Sequence, residues 1–83
     1  MDETEKTVRQ FIVKNFLFDN EANAPQPETS FLEVRLLDST GILELVHFLE
    51  STFAITIADN ELTPDNLDSL RKISSFIARK RGV

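Results

Sequence analysis

Ser39 and His47 are the residues from which a nucleophilic or acid–base centre would have to be built, because the chain has one histidine and no cysteine. Without thiols there is no disulfide, no zinc–thiolate site and no cysteine nucleophile. A serine nucleophile needs a base within hydrogen-bond reach. His47 follows Ser39 in what reads as the same helix, roughly 12 Å further along its axis. No Gly-x-Ser-x-Gly turn surrounds the serine either. A Ser–His pair therefore fails on geometry. The lone imidazole has no companion ligand, so no metal site is expected, and Asp59-Asn60-Glu61 lacks the glycine and the spacing of a calcium loop. A protein with no catalysis of its own is the expectation. What remains is Asp38-Ser39 at the start of an amphipathic stretch, where a serine in isolation reads as a helix cap.

Composition narrows the classes further. With 83 residues the chain has room for one domain, 1–83, and one small core. Nine basic against 14 acidic residues give a formal charge of −5, which argues against a nucleic-acid partner, since phosphate contacts need a basic face. No apolar run approaches the roughly 20 residues of a membrane span. The opening Met1-Asp2-Glu3-Thr4-Glu5-Lys6 is the acidic opposite of a signal peptide. A cytoplasmic protein without membrane insertion is expected. The charge is uneven: no lysine or arginine lies between Leu36 and Leu70, while Asp38, Glu44, Glu50, Asp59, Glu61, Asp65 and Asp68 do. Five of the nine cations follow Leu70. This acidic middle is either a solvated face or a surface that steers basic partners.

The elements that would position Ser39 are helical. Val8, Phe11, Ile12 and Phe16 fall near helical spacing, predicting a first helix from about Glu3 to Phe18. Asn20 to Thr29, with Pro25 and Pro27, reads as loop, and Phe31 and Leu32 should tuck it onto the core. Ile42, Leu45, Val46, Leu49 and Phe53 form one apolar stripe after Ser39, with Glu44, His47 and Glu50 on other faces. Ile55-Thr56-Ile57 alternates like a strand, but no second strand is in sight, so it reads as a connector. Asp59 should cap a short turn through Leu62, which Pro64 stops. Asp68 or Ser69 then caps a last helix burying Leu70, Ile73, Phe76 and Ile77, with Arg79-Lys80-Arg81 at its negative end and Gly82 just past it. The expected fold is all-α: three main helices, one short helix and a long first loop.

The string Asp38-Ser39-Thr40-Gly41-Ile42-Leu43-Glu44-Leu45-Val46, followed by Leu49-Glu50 and Phe53-x-Ile55-x-Ile57, resembles the acyl carrier protein family, which includes peptidyl and D-alanyl carrier domains. The resemblance runs over nearly the whole chain and implies an acyl-carrier-like four-helix bundle. It implies that Ser39, with Asp38 beside it, is the attachment point for 4′-phosphopantetheine, whose terminal thiol would let a chain without cysteine carry thioesters. It also implies partners: a phosphopantetheinyl transferase, an acyl or aminoacyl ligase, and downstream acyl-processing enzymes with basic docking surfaces. Thr40, Glu44, His47 and Glu50 are the expected docking residues on a monomeric carrier. Leu43, Ile57 and Leu62 are either core or the lining of a cavity for apolar cargo.

Three departures bear on the pathway. Thr40 stands where the family usually has Leu or Met. Gly41 lies inside the first helical turn, where it should cost up to about 1 kcal/mol against alanine. Arg35 interrupts a run that is usually acidic or contains glycine. The Asp38-Ser39-Thr40-Gly41 form looks more like stand-alone specialised carriers loaded by an ATP-dependent acyl or aminoacyl ligase than like the general fatty-acid carrier. An aminoacyl or peptidyl carrier, or an unmodified acidic helical interaction module, are the other readings. A decoy, Asp68-Ser69-Leu70, matches the family tripeptide better than Asp38-Ser39-Thr40 does, but the basic Arg71-Lys72 follows it. Ser69 is therefore expected to be a plain cap.

Overall fold

The computed structural model of the chain describes residues 2–17 and 20–82. Four helices are present: α1 (Glu3–Phe16), α2 (Ser39–Phe53), α3 (Pro64–Leu67) and α4 (Leu70–Lys80). Short 3-10 turns occupy Glu21–Asn23 and Asp59–Glu61. The described residues contain no strand, and Ile55-Thr56-Ile57 is a connector as expected. The all-α bundle of three main helices and a long first loop is thus what forms. Phe18, placed at the end of the first helix by its periodicity, lies outside the described residues.

Each long helix begins with a cap that satisfies otherwise orphaned N–H groups. The Asp2 carboxylate accepts from the Glu5 N–H, and Glu5 reciprocates by accepting from the Asp2 N–H. Asp2 also accepts from the Ser74 hydroxyl, which ties the start of α1 to α4. Partial burial alone would raise the Asp2 carboxyl, but the bonds from Ser74 and Glu5 outweigh it and hold the group below its ordinary value.

The core is formed by Val8 and Ile12 of α1, Leu45 and Leu49 of α2, and Leu70, Ile73 and Ile77 of α4, with Phe31 inserted from the loop. Phe31 is 1% exposed, so its plain packing role holds. Phe11 and Phe16 are only partly buried and act as the α1–α2 joint. Phe11 stacks on Phe48 with ring centroids 4.1 Å apart and meets Phe16 edge-on at 5.8 Å.

The second half departs from expectation between Asp59 and Leu67. The turn expected over Asp59 to Leu62 closes at Glu61, and Pro64 starts α3 rather than simply stopping what precedes it. Proline lacks an N–H that a first helical position does not need, and its φ is already helical. Asp59 is not the cap either. The Ala58 N–H instead donates to Glu61 Oε1 at 2.9 Å, and Lys80 Nζ lies 2.9 Å from the same oxygen. That backbone bond, and then the ammonium, lower the Glu61 carboxyl from its ordinary value.

Candidate functional site

The turn that delivers Asp38-Ser39 is built just upstream. Residues 31–35 form a helical turn that closes with Leu36 N–H donating to Phe31 O and Arg35 N–H to Leu32 O. This is the hydrogen-bond pattern of a Schellman stop, in which the residue at the bend is left-handed and usually glycine. Here it is Arg35, with φ of 54°. The departure noted in the sequence therefore falls on a backbone position that favours glycine. Past this bend Leu37 is buried and Asp38 faces solvent at the head of α2.

Asp38, not Ser39, is the helix cap. Its Oδ1 accepts from the Gly41 N–H at 2.7 Å, and its backbone oxygen accepts from Ile42 N–H. Ser39 is the first helical residue, exposed, and among the described residues its hydroxyl has no hydrogen-bond partner. The reading of this serine as a cap is thereby corrected: an aspartate one position earlier reaches the same N–H groups with a charge-assisted bond. The N–H groups of Ser39 and Thr40 remain without intrahelical acceptors, as the first turn of any helix requires.

Gly41 has a packing reason. A Cβ built there would meet Phe16 Cε1 at 3.1 Å and Asp38 Oδ1 at 3.3 Å. The glycine lets the end of α1 close on the first turn of α2 without disturbing the cap.

The other expected site residues divide. Thr40, Glu44 and His47 are exposed along α2. Glu50 is half-buried, and its Oε2 accepts from the Ile57 N–H at 2.9 Å, so its carboxylate anchors the connector after α2. Leu43 is 56% exposed, so it is not a core residue, and it is not in the wall of the cleft that opens beside the start of α2. It was absent from the expected docking set, although its position off the Ile42-Leu45-Val46-Leu49 stripe was a visible signal. Ile57 joins the core.

A cleft of about 150 Å³ opens beside this helix start. Its hydrocarbon walls are Phe31, Leu32, Leu37, Ile42, Leu62 and Leu67. Leu37 and Ile42, two residues before and three after Ser39, bring the wall of the cleft to the first turn of α2. Of the three residues read as core or cavity lining, only Leu62 belongs to the wall.

The second Asp-Ser pair is engaged quite differently. Ser69 is 4% exposed and its Oγ accepts from the Lys72 N–H at 3.1 Å, making it the α4 cap. Asp68 accepts from the Ser30 hydroxyl through one carboxylate oxygen and from the Leu32 N–H at 2.9 Å through the other. Its backbone oxygen takes the Phe31 N–H at 2.8 Å, and the Arg71 N–H donates to Pro27 O at 2.9 Å. The long first loop is thus sewn to the start of α4.

Among the described residues no three acidic or imidazole groups gather as a metal site, and no helix is long and apolar enough to cross a membrane. No family model matches the chain. It is similar to the acyl carrier protein of Helicobacter hepaticus, with 31% identity over 75 residues, which cover 90% of this chain and 93% of that protein. The all-helical bundle agrees with that similarity, and at this identity and coverage the chain belongs to the acyl carrier protein family.

Proposed function

We propose that this protein, as a single monomeric domain of residues 1–83, carries an acyl group as a thioester on 4′-phosphopantetheine attached to Ser39. The observation that carries the reading is the free, exposed Ser39 hydroxyl, left unengaged because Asp38 supplies the cap. In the attachment step Ser39 Oγ attacks the β-phosphorus of coenzyme A. A new O–P bond forms as the pyrophosphate P–O bond breaks, adenosine 3′,5′-bisphosphate leaves, and the hydroxyl proton passes to a base of the phosphopantetheinyl transferase. The residues present fit the group: a phosphodiester there would meet the unpaired N–H groups of Ser39 and Thr40 and the positive end of the α2 dipole. The Asp38 carboxylate offsets part of that field. When bound, the arm supplies the thiol that the chain lacks.

The protein itself performs no catalysis in this reading. It positions the serine, steers partner enzymes and shelters apolar cargo in the adjoining cleft. Glu44 with Asp38 supplies negative potential for basic docking surfaces in the cytoplasm, while Thr40, His47 and the exposed Leu43 supply the contact. Tethering raises the effective concentration of the cargo at whichever enzyme the carrier meets. The Thr40-Gly41 sequence favours loading by an ATP-dependent acyl ligase in a specialised pathway. Incubation with coenzyme A and a phosphopantetheinyl transferase tests the attachment. The expected result is one added phosphopantetheine, mapped to the peptide containing Ser39; an unchanged mass would overturn the reading in favour of an unmodified acidic interaction module.

A further inference from the structure

Among the described residues two that are not glycine hold a left-handed backbone, Arg35 at φ of 54° and Ala54 at 56°. They stand at the two ends of α2, one in the bend that delivers Ser39 and one at the C-cap. Such a backbone is unfavourable for any residue with a Cβ. It persists where the surroundings impose it, and it gathers at working sites. At Ala54 the side chain is a methyl group with no chemistry to offer. Arg35 carries a guanidinium into the same conformation. That side chain is exposed, and it makes no hydrogen bond or ion pair among the described residues. Nothing there offsets the strain; an anion from outside the polypeptide is what this cation lacks.

The place of the charge is as particular as its backbone. Arg35 is the one lysine or arginine between Lys14 and Arg71. It precedes Ser39 by four residues, so the two Cα atoms are at most about 14 Å apart. Leu37 is buried between them, while Arg35, Asp38 and Ser39 are all exposed. Cation and hydroxyl therefore share the solvent side of one short segment. A guanidinium binds carboxylate or phosphate oxygens through paired N–H groups. A phosphodiester on Ser39 would lie beside the Asp38 carboxylate, with backbone N–H groups alone to balance both charges. We infer that Arg35 is the counter-ion of the arm: its guanidinium pairs with the non-bridging oxygens of the Ser39 phosphodiester and holds the root of the pantetheine chain against the turn of residues 31–35. The inference rests on the proposed attachment to Ser39. The long arginine stem and the serine–phosphate linkage close the distance between the two residues.

The test compares the whole protein before and after loading with coenzyme A and a phosphopantetheinyl transferase, unaltered and as Arg35→Gln. That change removes the charge and keeps a residue with a Cβ at the bend. Mass spectrometry first establishes one phosphopantetheine on Ser39; if the unaltered protein gains none there, the attachment reading fails and this inference with it. Attachment should then raise the melting temperature of the unaltered protein by roughly 2–6 °C more than that of Arg35→Gln. Added salt should remove most of that difference. The phosphorus resonance of the arm should move on Arg35→Gln and stay in place on Lys72→Gln, an exposed cation of α4. Arg35→Lys keeps a charge without the paired donors and should restore part of both effects. If Arg35→Gln is too unstable to load, Arg35→Gly, which relieves the bend, takes its place in both measurements. Equal gains with and without the arginine, or a phosphorus resonance indifferent to residue 35, overturns the inference while leaving the attachment intact. Slower transfer to a partner enzyme alongside either result would assign Arg35 to an acid on that enzyme instead.

Discussion

Asp38-Ser39 and Asp68-Ser69 are the same dipeptide at the start of a helix, yet the two are wired in opposite ways. At the first, the aspartate caps its own helix and the serine is left outside, one residue into α2. At the second, the serine caps α4 and the aspartate turns away to hold the long loop through Ser30 and Leu32. The difference is a shift of one residue in where the helix begins, and it decides which hydroxyl is available. A dipeptide motif therefore has no chemical meaning until its helix start is known. The pair with a neighbouring segment to hold is engaged by it, and the pair facing solvent leaves its serine hydroxyl exposed.

The largest effect should come from exchanging the two serines for alanine. Ser39→Ala should abolish phosphopantetheine attachment with little change in melting temperature, because its hydroxyl supports no hydrogen bond among the described residues. Ser69→Ala should keep full attachment and lose about 1 kcal/mol of stability. Intact-mass measurement and denaturant melts read both, and the opposite pattern would reverse the assignment.

Next come the aspartates. Asp68→Ala removes two bonds to a carboxylate and should cost about 2–3 kcal/mol, with faster amide exchange through residues 27–36. Asp38→Ala loses a cap alone, about 1 kcal/mol, with exchange quickened only in the first turn of α2. Equal losses in urea melts would mean that the loop is not held as the structure shows.

The acids of α2 sharpen the comparison at a smaller scale. Glu50→Lys should destabilise by about 1–2 kcal/mol, since the Ile57 N–H loses its acceptor. Glu44→Lys should leave stability nearly unchanged but slow arm transfer at low salt, an effect that added salt erases. Transfer rates of the two variants at low and high salt separate docking from folding. A double reversal, by contrast, would confound them.

The Asp2 carboxylate, which accepts from the Ser74 hydroxyl, adds to the acid sensitivity of the fold. Because the folded Asp2 carboxyl is held below its ordinary value, its contribution is complete above the unfolded value of about 3.9 and is lost as pH falls through the folded one. Asp2→Asn, which can still cap, should flatten the fall in stability below about pH 4. A slope identical to that of the unaltered protein would assign the acid sensitivity elsewhere. Last and smallest, Arg35→Gly should raise stability by up to about 1 kcal/mol, by relieving the left-handed backbone at 54°. A decrease would show that the arginine side chain is needed at that bend.

Much of the bundle was legible because it follows from local periodicity. The apolar stripe from Ile42 to Leu49, the loop marked by Pro25 and Pro27, and the final helix with its cationic end each depend on residues within a few positions of one another. Exclusion of thiol chemistry needed only composition, and Asp38-Ser39 followed by Glu44-Leu45-Val46 was enough to suggest the family. What local pattern could not decide is which partner a polar group takes. Ser69 was expected to cap α4, but the role of Asp68 was not legible, and only the return of the loop, with Ser30 and Leu32 brought across from 38 and 36 residues away, assigned it. Glu50 read as a surface acid until the connector folded back to offer the Ile57 N–H. Gly41 looked like a flaw in a helix until Phe16 of α1 was found against it. Helix periodicity is a property of neighbours in the chain, whereas hydrogen-bond and packing partners are chosen by proximity in space, and that proximity exists only once the helices have docked.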